Sequence, residues 1–350
     1  MKKTLLALAA LAATSAAFAQ SSVTLYGVMD VSLEKVKGDH QVTRVTSGNL
    51  ATSRIGVKGT EDLGGGMKTN FVLESAVSAD TGANGGGTSR FFDRSAWVGL
   101  QGGAGELRLG RQDSSIGILA GDSSILGAQA YDDLAIVNTR AGKGYRRVDN
   151  AVTYLLPTMV EGVSAQLQYS TNGNGTEAYG QPGNLAKNYG LNVKYAQGPV
   201  IAGLGYLSVV DDNATAAGNQ RANATLVYGG YDLGTFKAIA YYDGETAIGA
   251  APGAKRLSVY GVKAIVPVTA DITVQAGVSM ARNINGTQTT SDNAEITAIK
   301  AIYKLSKRTS VYGLTTMVNN SKITTNNTGA STLQGGHVTG GVAFGIAHAF

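Results

Sequence analysis

Val163, Ala165, Leu167 and Tyr169 alternate with Ser164, Gln166, Gln168 and Ser170, and this two-residue period recurs along most of the chain. Successive side chains of a strand point to opposite faces, so the period predicts strands with one apolar and one polar side. The first runs from Val23 to Glu34. Val23, Leu25, Met29, Val31 and Leu33 share a face with Gly27, and Thr24, Tyr26, Asp30, Ser32 and Glu34 share the other. After a polar loop, Gly38 to Gly48, strands are expected over Ser53–Thr60, Met67–Val77, Phe91–Gln101, Glu106–Arg111 and Arg146–Leu156. In the stretch from Phe91, an inward Arg94 would put Ser95 and Trp97 outside. Tyr189–Tyr195, Phe236–Tyr242, Arg256–Val266, Asp271–Arg282, Glu295–Leu305 and Thr309–Val318 continue the series. Val200–Val210 is ambiguous in phase, and Ala222–Tyr231 alternates weakly.

The last strand, Val338 to Phe350, carries Val342, Phe344, Ile346, His348 and Phe350 on one side and small residues on the other. The count is about sixteen, with short turns and long polar connections in alternation. A sheet of this kind closes by pairing its last strand with its first. The expected fold is all-β: a transmembrane antiparallel β-barrel of about sixteen strands, apolar outside and polar inside.

Met1 to Ala19 reads as a secretory signal peptide. Lys2 and Lys3 precede the apolar run Leu5–Ala13, and Ala17-Phe18-Ala19 is an A-x-A cleavage site. Residues 20–350 would then form one barrel domain. No later stretch offers eighteen consecutive apolar residues, so a chain integral to a membrane must cross it with strands. There are no cysteines, and the 48 glycines and 5 prolines suit many strands and tight turns. Net charge is +5, and removing Lys2 and Lys3 leaves +3, with no basic runs that argue for nucleic acid.

The three histidines are His40 and His337 in loops and His348 on the outer face of the last strand. No G-x-S-x-G, H-E-x-x-H or Gly-Lys-Ser/Thr phosphate loop appears. No enzyme, metal or cofactor is expected, and an outer-membrane hydrolase is the rival class. The candidate chemistry is an inward basic set. Lys58 and Arg108 face inward by alternation.

SRIGVKGTEDLGGG (Ser53 to Gly66), DRSAWVGLQGGAGELRLGRQ (Asp93 to Gln112) and YKLSKRTSVYG (Tyr303 to Gly313), with the opening SSVTLYGVMDV (Ser21 to Val31), resemble the general porins of Gram-negative bacteria. The likeness is strongest to the β-proteobacterial porins and runs along the whole chain. It implies a passive diffusion channel for small hydrophilic solutes and ions in the outer membrane. It also implies a homotrimer, with the Ser78–Ser89 loop reaching a neighbouring subunit.

Gln112 to Gly144, the longest segment without alternation, stands where the family's third loop folds inward and narrows the channel. It carries Asp113, Asp122, Asp132 and Asp133 but lacks the Pro-Glu-Phe-Gly-Gly stretch of many relatives. An ordinary external loop is the other reading of this segment. Arg54, Arg94 and Arg147 match the family's arginine ladder on the channel wall. The competing reading makes them structural ion pairs with Glu74, Glu106 or Asp149. An excess of inward arginine and lysine would make the channel mildly anion-preferring, unless the acids of the inner loop cancel it. A substrate-specific channel, or a barrel using its loops as a receptor or adhesin, is the alternative. Few aromatics are expected inside (Tyr26, Tyr241), which disfavours a stacking track for solutes.

Overall fold

The computed structural model describes residues 21–38, 41–85, 90–126, 133–136, 145–171, 186–211, 221–246, 253–284, 293–319 and 338–350. The expected signal peptide, His40, His337 and Asp132 lie outside the described residues.

The chain begins with β1 (Ser22–Gly38), β2 (Val42–Ser47), β3 (Arg54–Gly64), β4 (Met67–Ala76), β5 (Ser95–Gly102) and β6 (Gly105–Asp113). Two short helices follow, α1 (Gly117–Ser123) and α2 (Asp133–Ile136). Then come β7 (Arg147–Leu155), β8 (Val163–Ser170), β9 (Ala186–Gln197), β10 (Val200–Asp211), β11 (Arg221–Asp232) and β12 (Lys237–Glu245). The series ends with β13 (Leu257–Pro267), β14 (Ile272–Arg282), β15 (Ala294–Lys304), β16 (Thr309–Asn319) and β17 (Val338–Ala349).

Every strand pairs antiparallel with its neighbours, and β17 pairs with β1, so the sheet closes. Gly27 and Phe350 complete the seam by exchanging both amide hydrogen bonds at 3.1 Å. The seventeen segments occupy sixteen barrel positions. The upper half of β1 pairs with β2 and its lower half with β3, so these two share one position.

The Gly38–Gly48 region, expected as a loop, contains β2. Its Val42, Arg44 and Thr46 pair with Val36, Glu34 and Ser32. Its polar composition hid it, because Arg44 finds an inward partner in Glu34 at 2.7 Å. The bend between β2 and β3 tucks against the inner face of β1. There the Asp30 carboxylate accepts the backbone N–H groups of Leu50 and Ala51, and Asn49 donates to Ser32 and Glu34.

The outer surface is apolar. Leu25, Leu33, Leu109, Leu167, Val262 and Phe344 all stand exposed, while their polar strand neighbours face inward. A closed barrel with such a belt satisfies every ladder hydrogen bond internally and presents hydrocarbon to hydrocarbon. Short turns join the strands at one end and long connections at the other, as in outer-membrane barrels with periplasmic short turns.

The inside is not uniformly polar. From β10 to β15 the inward side chains include Leu207, Leu226, Ile239, Leu257, Val259 and Ile296, all buried. They form one cluster with Ile116, Leu119, Ile125, Leu126 and Leu134 of the segment between β6 and β7. This hydrophobic core sits inside the barrel, between wall and inner segment. It explains the strands of unclear phase. β10 and β11 meet lipid on one face and the inner segment on the other, so both faces are apolar and the alternation fades.

Candidate functional site: the lumen and its inner segment

The segment after β6 turns into the barrel at Ser114, whose backbone N–H reaches the Arg146 carbonyl at 3.0 Å, tying the two ends of the excursion together. It then crosses the inner wall. The Ser115 N–H bonds Gln168 of β8, and the Ser115 carbonyl accepts from Asn192 of β9 at 2.6 Å. α1 packs its buried Leu119 and Ala120 inside the sector that begins at β10.

Beyond α1 three successive carbonyls are caught by three successive strands. Lys263 of β13 donates to Ser124 at 2.8 Å, Gln275 of β14 to Ile125 at 2.5 Å, and Lys300 of β15 to Leu126 at 2.9 Å. Gly205 and Gly277 leave the room. A Cβ at either would come within 2.7 Å of Leu119 Cδ1 or 2.8 Å of Ile125. The described part of the segment therefore lies in the lumen as an inward-folded loop, not as an external one.

The opposite wall is cationic. Arg54 of β3 and Arg94 converge on Glu74 of β4, Arg54 at 3.6 Å and Arg94 through a short contact. Tyr26 also donates to Glu74, at 2.8 Å. Arg90 and Arg111 grip the two oxygens of Asp149 at 2.6 and 2.5 Å. Arg147 faces Asp113 at 3.3 Å. Five arginines thus share three carboxylates. Their side chains keep between 17 and 38 % of their exposure, so they border the open lumen rather than fill a core. The two readings of these arginines coincide: they face the lumen and they are ion-paired there.

Lys58 and Arg108 face the same lumen in the half nearer the short turns. Arg108 is paired with Glu106 at 2.7 Å. Among the acids of the inner segment, Asp113 belongs to the arginine wall. Asp122 meets Lys194 of β9 at 2.5 Å and the Tyr228 hydroxyl at 3.2 Å, on the far side. Asp133 turns inward to accept the Ile125 N–H at 3.2 Å and is fully buried, so it serves the segment's own fold.

The alternation missed several of these groups. Arg111 sits at a β-bulge, where the register shifts between Gly110 and Gln112, and the extra residue turns it inward to Asp149. Arg90 and Arg94 precede β5 in irregular backbone. Because β5 begins only at Ser95, parity counted from Arg94 does not carry into it. Val98 and Leu100 take its outer face, and Trp97, expected outside, faces the lumen. Lys194 projects inward from β9 to Asp122, and nothing in its own strand signals this partner supplied by α1.

A closed apolar-faced barrel with a charged inner wall and an inner segment folded against it defines a membrane channel. The family model of Gram-negative porins matches residues 6–323. Outer membrane porin protein 32 of Delftia acidovorans is 31% identical over 378 residues, covering 100% of both chains. The solved anion-selective porin from Comamonas acidovorans superposes with a TM-score of 0.74 at 25% identity, covering 95% of this chain and 100% of that one. The trimer form of OmpT from Vibrio cholerae shares the fold, with a TM-score of 0.65 at 14% identity over 94% of this chain and 99% of that one. The chain belongs to the Gram-negative porin family. It is a porin of the outer membrane, crossing it as a multi-pass β-barrel.

Proposed function

We propose that this porin is a passive channel for small hydrophilic solutes and inorganic ions with a mild preference for anions. The carrying observation is the excess of guanidinium over carboxylate on the wall from β3 to β7, where five arginines share three acids. Among the described residues, Asp122 is the inner-segment acid that could offset it, and it is engaged by Lys194. The Comamonas relative, described as anion-selective, supports the same sign.

Arg54, Arg94 and Arg147 form the basic side of the constriction, and Asp113 and Asp122 its acidic members. Lys58 and Arg108 extend the positive field toward the short-turn end. Charge rings of this kind set ion preference, and an inward loop sets the size limit. The segment 112–144 is the constriction loop of a single barrel domain, 20–350, exported behind a cleaved signal peptide, 1–19.

The assembly in this reading is a homotrimer embedded in outer-membrane lipid, with the Ser78–Ser89 loop reaching a neighbouring subunit. The trimer form of the related OmpT fold supports it. No cofactor, metal, nucleic acid or catalytic step takes part. The test is the zero-current potential of purified protein in a planar bilayer across a KCl gradient. An anionic sign that weakens in Arg54→Ala and Arg147→Ala is expected, with conductance in three equal steps. A cationic sign in the wild type would overturn the preference.

A further inference from the structure

Trp97 is the only tryptophan of the chain. Membrane proteins commonly place tryptophan in the interfacial belt, but this one points into the lumen and carries a cation on its face. Arg108 of β6 stands directly opposite Gly99 of β5. A Cβ at Gly99 would lie 3.0 Å from Arg108 Cγ. Without it, Arg108 folds across β5 until its guanidinium carbon is 4.2 Å from the Trp97 ring centroid.

The same construction recurs on the neighbouring strands. Tyr26 of β1 stands opposite Gly56 of β3, and a Cβ there would come within 2.6 Å of Tyr26 Cζ. The Tyr26 ring therefore lies across β3, and Lys58, two residues along, holds its Nζ 5.3 Å from the ring centroid.

Val72 of β4 joins the two stacks, since it pairs with Lys58 on one side and with Trp97 on the other. At about 4.8 Å per strand, the row Lys58–Val72–Trp97 is about 10 Å long. A benzene ring with a carboxylate attached is shorter than this and fits along the row. The two cations differ in what they have left to offer. Arg108 is already neutralised by Glu106. Lys58 makes no ion pair among the described residues, and its side chain is exposed to the lumen.

We propose that this row is a binding subsite for aromatic carboxylates in transit. Lys58 takes the carboxylate, and the ring lies over Val72 against the Arg108–Trp97 stack. A planar guanidinium and an indole edge favour a π system over a saturated ring of equal size. The site gives an otherwise general channel an affinity for one class of organic anion. It rests on the reading of the chain as an anion-passing channel.

The test compares benzoate with cyclohexanecarboxylate, which matches it in charge and nearly in size. Each is added to the full-length exported protein in a planar bilayer in KCl. The fall in single-channel current is normalised to each variant's own KCl conductance. Benzoate should block saturably, with a half-blocking concentration about 2- to 5-fold below that of cyclohexanecarboxylate. Trp97→Leu should erase this difference and Trp97→Phe should keep it. Lys58→Gln should raise the half-blocking concentration of both acids.

Equal block by the two acids in the wild type overturns the proposal, as does a difference that survives Trp97→Leu. If Trp97→Leu does not fold, an unchanged benzoate block in Lys58→Gln overturns it instead. The KCl zero-current potential, read in the same bilayers, reports separately on the anion preference. A cationic sign with benzoate discrimination intact removes that preference and leaves the subsite.

Discussion

Lys263 reaches from β13 into the lumen and donates to the carbonyl oxygen of Ser124 at 2.8 Å. The contact joins residues 139 positions apart and is buried. A hydrogen bond from a charged donor contributes about 1.5–3 kcal/mol. Together with Gln275 and Lys300 it makes the inner segment part of the wall.

Lys263→Met keeps the apolar stem and removes the donor. The inner segment should loosen by about that energy while the barrel stays closed. Single-channel records should show more open-state noise than the wild type, with heat resistance of the folded barrel preserved. Quiet records from Lys263→Met would mean that the packing of α1 alone holds the segment.

Leu119 is fully buried between α1 and the barrel wall. Leu119→Ala should cost about 2–5 kcal/mol of docking energy, because the surroundings cannot close fully over the gap. Limited proteolysis should then cut within residues 112–144 under conditions where the wild type resists.

Glu74 lies between Arg54 and Arg94 and accepts from Tyr26. Glu74→Gln keeps the shape and deletes the charge. The zero-current potential should move further to the anionic side, whereas Arg94→Ala should move it the other way. The shift should shrink at high ionic strength, since the Debye length falls from about 10 Å at 0.1 M to about 3 Å at 1 M.

Tyr145, at the return end of the inner segment, is buried. Burial first, then the nearby charges of Asp243 and Glu245, hold its hydroxyl well above the ordinary tyrosine range. The neutral phenol is the form that fits. Its contribution is fully present below the unfolded value of about 10 and is lost as pH rises beyond it. Open-channel noise should therefore stay level up to about pH 10 and grow as pH rises past it, and Tyr145→Phe should flatten that rise.

Much of the barrel was legible because lipid enforces the alternation. A strand with Leu25 and Leu33 on one side and Asp30 and Glu34 on the other leaves little choice of face. The arginine positions Arg54, Arg108 and Arg147 followed from the same parity and from the family resemblance. What escaped lay where parity breaks or where a second surface intervenes. Arg111 is turned by a bulge, and Trp97 by a strand that starts later than its pattern suggests. The apolar inward faces of β10 and β11 answer to a segment nearly a hundred residues away, and no local period encodes that.

The dry half of the lumen bears on any attempt to widen this pore. Cutting out the inner segment would not leave a clean tube. It would leave Leu207, Leu226, Leu257 and Ile296, now fully covered, facing water. An emptied barrel would carry an oily stripe down one inner side, inviting collapse of the wall or capture of detergent. A wider channel built on this sequence must repaint that stripe with polar residues in the same step that removes the segment.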